Sequence, residues 1–268
     1  MNLRKMMDVY AEEGLTRALA ASRVCQDIVL KALSEGPFNR NVTIKGGVVM
    51  RSLTKNNRRA TSDIDLDLIH YSLNEDAIRR LIEALNCIDG IEIEITGDIR
   101  ELKHQDYQGK SVEVVITDAF GNSVSSKIDI GVHRFFEIEQ EEYCFDVCMD
   151  DEGATLLKNT VEQAFAEKLR SLLKLGVNSR RYKDVYDLFY LKDLISSVKL
   201  KNAIDVLILQ DEEMFENSVK DIVRRIKRVF NDEQYVARVS ESRQRWIDDD
   251  IHEIMEGIVT FVEGLDDE

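Results

Sequence analysis

Three aspartates stand at alternate positions in Thr61-Ser-Asp-Ile-Asp-Leu-Asp-Leu68, and a glycine pair precedes them in Lys45-Gly-Gly-Val-Val-Met50. Successive side chains of a strand point to opposite faces, so Asp63, Asp65 and Asp67 share one face while Ile64, Leu66 and Leu68 line the other. Carboxylates crowded in this way repel each other and ask for a cation. Oxygen ligands of this hardness suit Mg²⁺. Asp63 and Asp65 are the expected metal pair, with Asp67 as a neighbour. Gly46 and Gly47 allow backbone to approach a phosphate closely, and the helix behind them offers unpaired N–H groups and a favourable dipole. A glycine pair in a strand-to-helix turn is also an ordinary structural device. The Asp-x-Asp strand downstream is what gives it chemical meaning, as one half of a site for a metal–nucleotide complex.

Asp129 extends the set. In Ser126-Lys-Ile-Asp-Ile-Gly-Val132, Ile128, Ile130 and Val132 occupy one strand face and leave Lys127, Asp129 and Gly131 on the other. If this strand lies beside residues 63–70, Asp129 completes a carboxylate triad, either as a further metal ligand or as the group that draws a proton from an attacking hydroxyl. If it does not, Asp129 is an exposed strand aspartate. Lys168 falls within the apolar stripe of Val161, Ala164, Phe165, Leu172 and Leu175, a placement that costs stability unless the ammonium is paired or reaches an opening. Two readings stand: a snorkelling side chain, or a lysine projecting into a cleft to meet a triphosphate. In Arg181-Tyr-Lys-Asp-Val-Tyr-Asp-Leu188, Lys183, Asp184 and Asp187 share an arc of a helix. Lys183 and Asp187 fit a simple i,i+4 pair. Alternatively, Asp184 or Asp187 orients Lys168 while Lys183 faces phosphate.

The elements that must carry these residues are legible from periodicity. A helix is expected over about residues 3–33, ended by Ser34-Glu-Gly-Pro37, and a short strand over 41–45 that runs into the glycine pair. Strands are expected at 63–70, 91–96, 112–117 and 124–132, the last two joined by the turn Asp118-Ala-Phe-Gly-Asn122. Asn74 reads as the cap of a helix to about Asn86, and 143–148 as a short edge strand. From Gly153 the pattern is helical at 156–175, 182–195, 200–209, 212–230, 232–246 and 251–262. The expected organisation is therefore α+β: a mixed-sheet core over 1–150, then a helical part over 151–268 that completes the active-site cleft.

Composition excludes several classes. The 268 residues carry 44% hydrophobic and 32% charged side chains, the balance of an ordinary globular protein. No apolar run approaches the roughly 18 residues of a membrane span, and the amino terminus lacks a signal-peptide pattern, so a cytoplasmic protein without a membrane partner is expected. Cys25, Cys87, Cys144 and Cys148 lack paired or zinc-site spacing and suit a reducing compartment. The net charge of −15 argues against a general nucleic-acid binder. Arg51, Lys55, Arg58 and Arg59, however, form a run free of acids beside the glycine pair, a candidate RNA contact.

Lys45-Gly-Gly47, Ser62-Asp-Ile-Asp-Leu66, Ala166-Glu-Lys-Leu169 and Arg181-Tyr-Lys-Asp-Val-Tyr-Asp-Leu188, in that order, resemble the AbiEii/AbiGii family of nucleotidyltransferase toxins, in the DNA polymerase β-like superfamily. The resemblance spans roughly residues 40–195. It implies a polymerase β-like core with a mixed sheet, a helical carboxy-terminal part and Mg²⁺-dependent use of a nucleoside triphosphate. It also implies a cognate antitoxin in a toxin–antitoxin or phage-defence system and, for some members, a tRNA 3′ end as acceptor. By position, Gly46 and Gly47 match the phosphate turn, Asp63 and Asp65 the metal pair, Lys168 the helical lysine, and Lys183, Asp184 and Asp187 the Lys-Asp-x-x-Asp motif. Val48 departs from the family's usual Thr or Ser, and fifteen residues separate Gly47 from Asp63. Two alternatives differ in class: the same transfer to a small molecule or protein hydroxyl, and a nucleotide-binding module without turnover.

Overall fold

The computed structural model describes residues 1–102, 109–135 and 137–266. The chain divides into two compact units, Met1–Asn159 and Thr160–Glu268. In the first, β1 (Val42–Lys45) and β2 (Ile64–Leu68) pair antiparallel, with Ile44 opposite Leu66 and Lys45 opposite Asp65. On the other side of β2, β5 (Ser123–Val132) runs parallel to it, in a register that sets Asp65 beside Asp129. Adding β3 (Ile91–Glu101), β4 (Lys110–Asp118), β6 (Glu141–Val147) and β7 (Asp150–Lys158) gives a seven-stranded sheet in the order β3-β4-β5-β2-β1-β7-β6. The sheet is mixed, since β1 also runs parallel to β7.

Alternation decides which face is buried. Ile44, Ile64, Leu66, Leu68, Ile128 and Ile130 are all at most 1% exposed. They pack in one core with Val24, Ile28 and Val29 of α2 (Arg17–Glu35), leaving the aspartates on the opposite face. The helix expected over 3–33 is two: α1 (Leu3–Glu12) stops before Gly14, whose φ of +93° no helix accommodates, and Thr16 caps α2 through Leu19 N–H. α3 (Gly46–Thr54) follows β1 directly, and Asn74 caps α4 (Glu75–Ala84) by accepting from Ala77 N–H at 2.8 Å, as expected.

Helix was expected from Leu156, and there the structure differs. β7 continues to Lys158, burying Ala154, Leu156 and Lys158 at period two. A buried lysine disguised that period; its ammonium is held by Glu141 Oε2 at 2.8 Å on the neighbouring strand. Thr160 then caps α5 (Val161–Leu175). The second unit continues with α6 (Tyr182–Leu191), α7 (Ser197–Ile204) widening into a π-helical turn at Asp205–Leu209, α8 (Val219–Phe230), α9 (Glu233–Ser240) and α10 (Ile251–Gly264). α8 begins seven residues later than expected because Ser218 caps it, and α9 ends six residues before Trp246, the end expected for it. Among the described residues no helix is long and apolar enough to cross a membrane.

The turn between β4 and β5 is built on Asp118, which accepts from the backbone N–H groups of Phe120, Asn122 and Leu3 at 2.9 to 3.0 Å. Burial pushes its carboxyl up, but bonds from the Asn122 side chain and these amides outweigh burial and hold it below the ordinary carboxylate value. Its contribution is therefore complete above the unfolded pKa, near 4, and is lost as pH falls through the lower folded value. Asp118→Ala is expected to destabilise the protein by about 1–3 kcal/mol in urea unfolding at neutral pH. The gap between variant and wild type should close as the pH is lowered below 4.

Candidate active site

The glycine pair is forced by its neighbours. Gly46 has φ +64°, and a Cβ there would lie 2.2 Å from Asp65 Oδ2. A Cβ on Gly47 would lie 2.3 Å from Thr61 Oγ1. The turn is bare so that a carboxylate and a hydroxyl can press against it, and Gly47 N–H bonds back to Asp65. The tight coupling of turn and Asp-x-Asp strand is thus steric as well as chemical.

Asp65 and Asp129 sit side by side on the parallel pair β2 and β5, and Asp63 lies just before β2. Lys127 Nζ reaches Asp129 Oδ2 at 2.9 Å and Asp63 Oδ2 at 3.3 Å. Lys45, opposite Asp65 on β1, forms an ion pair with Asp67, its Nζ 2.6 Å from Oδ1. Burial pushes the Asp65 carboxyl up, and Asp129 and Asp63 push the same way; Lys45 and Gly47 N–H pull it down. Burial also pushes the Lys127 ammonium down, but Asp129 and Asp63 outweigh it and raise the group.

Among the described residues no group of three or more carboxylate, histidine or cysteine side chains is arranged to hold a metal ion as it stands, but two observations leave room for a hard divalent cation at these aspartates. Asp63, Asp65, Asp67 and Asp129 outnumber Lys45 and Lys127 by two charges. Asp129 Oδ1 is buried and accepts no hydrogen bond. An all-carboxylate group with an unmet lone pair is the chemistry Mg²⁺ completes. Asp67 is the exception: at 4% exposed and locked to Lys45, it belongs to the wall of the site. Lys45, Thr61 and Lys127 were not singled out from sequence. The signal for both lysines was present, because each continues the polar face of its strand, two residues from Thr43 or Asp129.

In the second unit, Lys168 Nζ bonds Asp184 Oδ1 at 2.8 Å and Asp187 Oδ2 at 2.7 Å. Asp187 is fully buried and also accepts from Trp246 Nε1 at 3.1 Å. Of the readings open for these residues, the structure brings together Lys168 with both aspartates, while Lys183 is half-buried on α6. The basic run near the glycine pair is not one surface. Lys55 and Arg58 are exposed, but Arg51 and Arg59 are buried, Arg51 against Gln26 and Asp27. The expected four-residue RNA contact is corrected accordingly: helix periodicity turns Arg51 inward, where Asp27 draws its charge.

Removing Lys168 strands a buried carboxylate. Lys168→Met should cost about 3–5 kcal/mol in chemical unfolding, and Asp184→Asn clearly less, because Asp187 still pairs with the ammonium. Equal small losses in both would contradict the pairing.

A family model described as "Nucleotidyl transferase AbiEii toxin, Type IV TA system" matches residues 28–207. No curated protein matches the chain. Among solved structures, an antigenic nucleotidyltransferase-like protein from Paracoccidioides brasiliensis is similar in fold at 13% identity and TM-score 0.50, covering 80% of this chain and 92% of its own.

Proposed function

The chain belongs to the AbiEii nucleotidyltransferase toxin family, and on that premise we propose that it moves a nucleoside monophosphate from a nucleoside triphosphate to an acceptor hydroxyl, with Mg²⁺ held by Asp63, Asp65 and Asp129. The observation that carries this reading is the in-register pair Asp65–Asp129 pressed against the Gly46-Gly47 turn. Bound Mg²⁺ would neutralise charge on the triphosphate and align it. The chain's own residues do the rest. The start of α3 presents backbone N–H groups to phosphate. Val48 is buried and brings no hydroxyl, whereas Thr61 packs its hydroxyl against Gly47 at the start of α3. The Asp129 carboxylate takes the proton of the attacking hydroxyl as that oxygen adds in line to the α-phosphorus; the bond to the β-phosphate oxygen breaks and pyrophosphate leaves. Lys127 and Lys45 temper the negative field into which the triphosphate enters.

The acceptor we favour is an RNA 3′ hydroxyl, of the tRNA kind, with a cognate antitoxin restraining the enzyme in a toxin–antitoxin or phage-defence setting; both extend the family reading. The burial of Arg51 and Arg59 favours a second reading, in which a small-molecule or protein hydroxyl accepts the nucleotide, because only Lys55 and Arg58 of that run remain for phosphates.

Incubation with each α-labelled nucleoside triphosphate, Mg²⁺ and total RNA should label an acid-precipitable, ribonuclease-sensitive product. Asp65→Asn should lower incorporation by roughly 10²-fold or more. Equal labelling by variant and wild type would remove the site, and a ribonuclease-resistant product would move the acceptor to the second reading. Lys127→Met offers a check without turnover. With chelator present the variant should unfold at lower temperature than wild type, since Asp63 and Asp129 lose their counter-ion, and Mg²⁺ should stabilise it by more degrees than wild type. Identical metal responses would contradict a cation site shared by those carboxylates.

A further inference from the structure

The Lys127 ammonium stands between two carboxylate oxygens, 2.9 Å from Asp129 Oδ2 and 3.3 Å from Asp63 Oδ2. A divalent ion shared by these two residues would stand at the same oxygens, so metal and ammonium contend for one place. Asp129 Oδ1 is buried, and an arriving ion meets the Oδ2 edge first. Strand geometry brings Lys127 there: on β5 it lies two residues before Asp129, on the same face. Asp63 comes within reach because Ser126 Oγ donates to Ser62 O at 2.9 Å, which ties the residue before Asp63 to β5. The acid opposite Lys127 on β4, Glu113, pairs with Arg100. The carboxylates that engage Lys127 are therefore those of the site.

The two lysines of the site differ in freedom. The Lys45 side chain is 8% exposed and walled in against Asp67. That of Lys127 is 37% exposed, beside a half-exposed Asp63. An ion pair open to water is held weakly, and the flexible lysine stem lets the ammonium swing away. A divalent ion at the same oxygens outbids a single charge. The displaced ammonium stays tethered at the lip of the site, where the phosphate oxygens that share the metal come in, and it can bond them there. A metal that binds only when Lys127 leaves has its affinity lowered by the fraction of time its place is taken. A triphosphate that draws Lys127 away removes that handicap, so metal and nucleotide assist each other.

We propose that Lys127 is an exchangeable cation, which competes with the divalent ion for Asp63 and Asp129 and passes onto the triphosphate as metal and nucleotide bind. Its role is then to bind phosphate and to couple the two ligands. The proposal rests on the reading of the carboxylate face as the metal–nucleotide site.

Two measurements test it together: Mn²⁺ uptake without nucleotide, followed by electron paramagnetic resonance, and equilibrium dialysis of a labelled non-hydrolysable nucleoside triphosphate at saturating Mn²⁺. Relative to wild type, Lys127→Met should bind Mn²⁺ alone at least about fivefold more tightly and the triphosphate at least about fivefold more weakly. Lys127→Arg, which restores the charge, should lose the gain in Mn²⁺ and recover most of the triphosphate binding. If Lys127→Met does not fold, Lys127→Gln takes its place. Opposite shifts are the signature, because an ion pair that only steadies the fold would lower both affinities or neither. Mn²⁺ affinity unchanged by loss of the ammonium would overturn the proposal, since Lys127 is then not in the ion's way. Unchanged triphosphate binding would overturn it too, since the ammonium then does not reach phosphate. Asp65→Asn separates this proposal from the reading beneath it. Mn²⁺ uptake equal in wild type and Asp65→Asn, or absent from wild type and Lys127→Met alike, removes the carboxylate site itself, and the proposal falls with it.

Discussion

The parallel pairing of β2 with β5 places two carboxylates, Asp65 and Asp129, in adjacent register positions on the same face of a sheet. Side by side, like charges in a half-buried setting oppose folding, and much of the surrounding structure answers that repulsion. Lys127 spans Asp63 and Asp129, and Lys45 reaches across from β1 to Asp67. Gly47 N–H points at Asp65, and the glycines surrender their side chains so that the carboxylate fits. The opposite face of the same strands is a continuous apolar core, which fixes the register: a slip of one residue would bury the aspartates and expose Ile64, Leu66 and Leu68. Stability thus resides on one face and chemistry on the other, held in phase by a period of two.

That period explains what could be read from the chain before its structure. Asp129 was found because Ile128, Ile130 and Val132 announced the strand, and the conditional placement beside Asp65 is the observed one. Asn74, the Asp118–Asn122 turn and the strand-to-helix glycine turn were legible because each uses local hydrogen-bonding or backbone chemistry that a few residues specify. Lys168 was marked by its place on an apolar stripe, and the aspartates that answer it stood in the next motif.

What escaped was non-local. Nothing within 51–59 says that Arg51 faces Asp27, a residue on another helix, so a surface cluster was the natural reading of four bases in a row. Lys158 hid the last strand for the same reason: its partner, Glu141, is on a strand seventeen residues earlier. Lys45 and Lys127 were visible as polar-face residues but acquired meaning only once the register showed which carboxylates they meet. Charged residues with distant partners are where sequence periodicity loses its hold, because pairing supplies what the local pattern lacks.

The central claim is that the Asp65–Asp129 face holds a divalent cation together with a nucleotide. Mn²⁺, a spin-active substitute for Mg²⁺, reports it directly: its free signal in electron paramagnetic resonance falls as the ion binds. With a non-hydrolysable nucleoside triphosphate present, wild type should take up Mn²⁺, and Asp65→Asn and Asp129→Asn should each lose most of that uptake while remaining folded. Uptake by both variants equal to that of wild type would contradict the account.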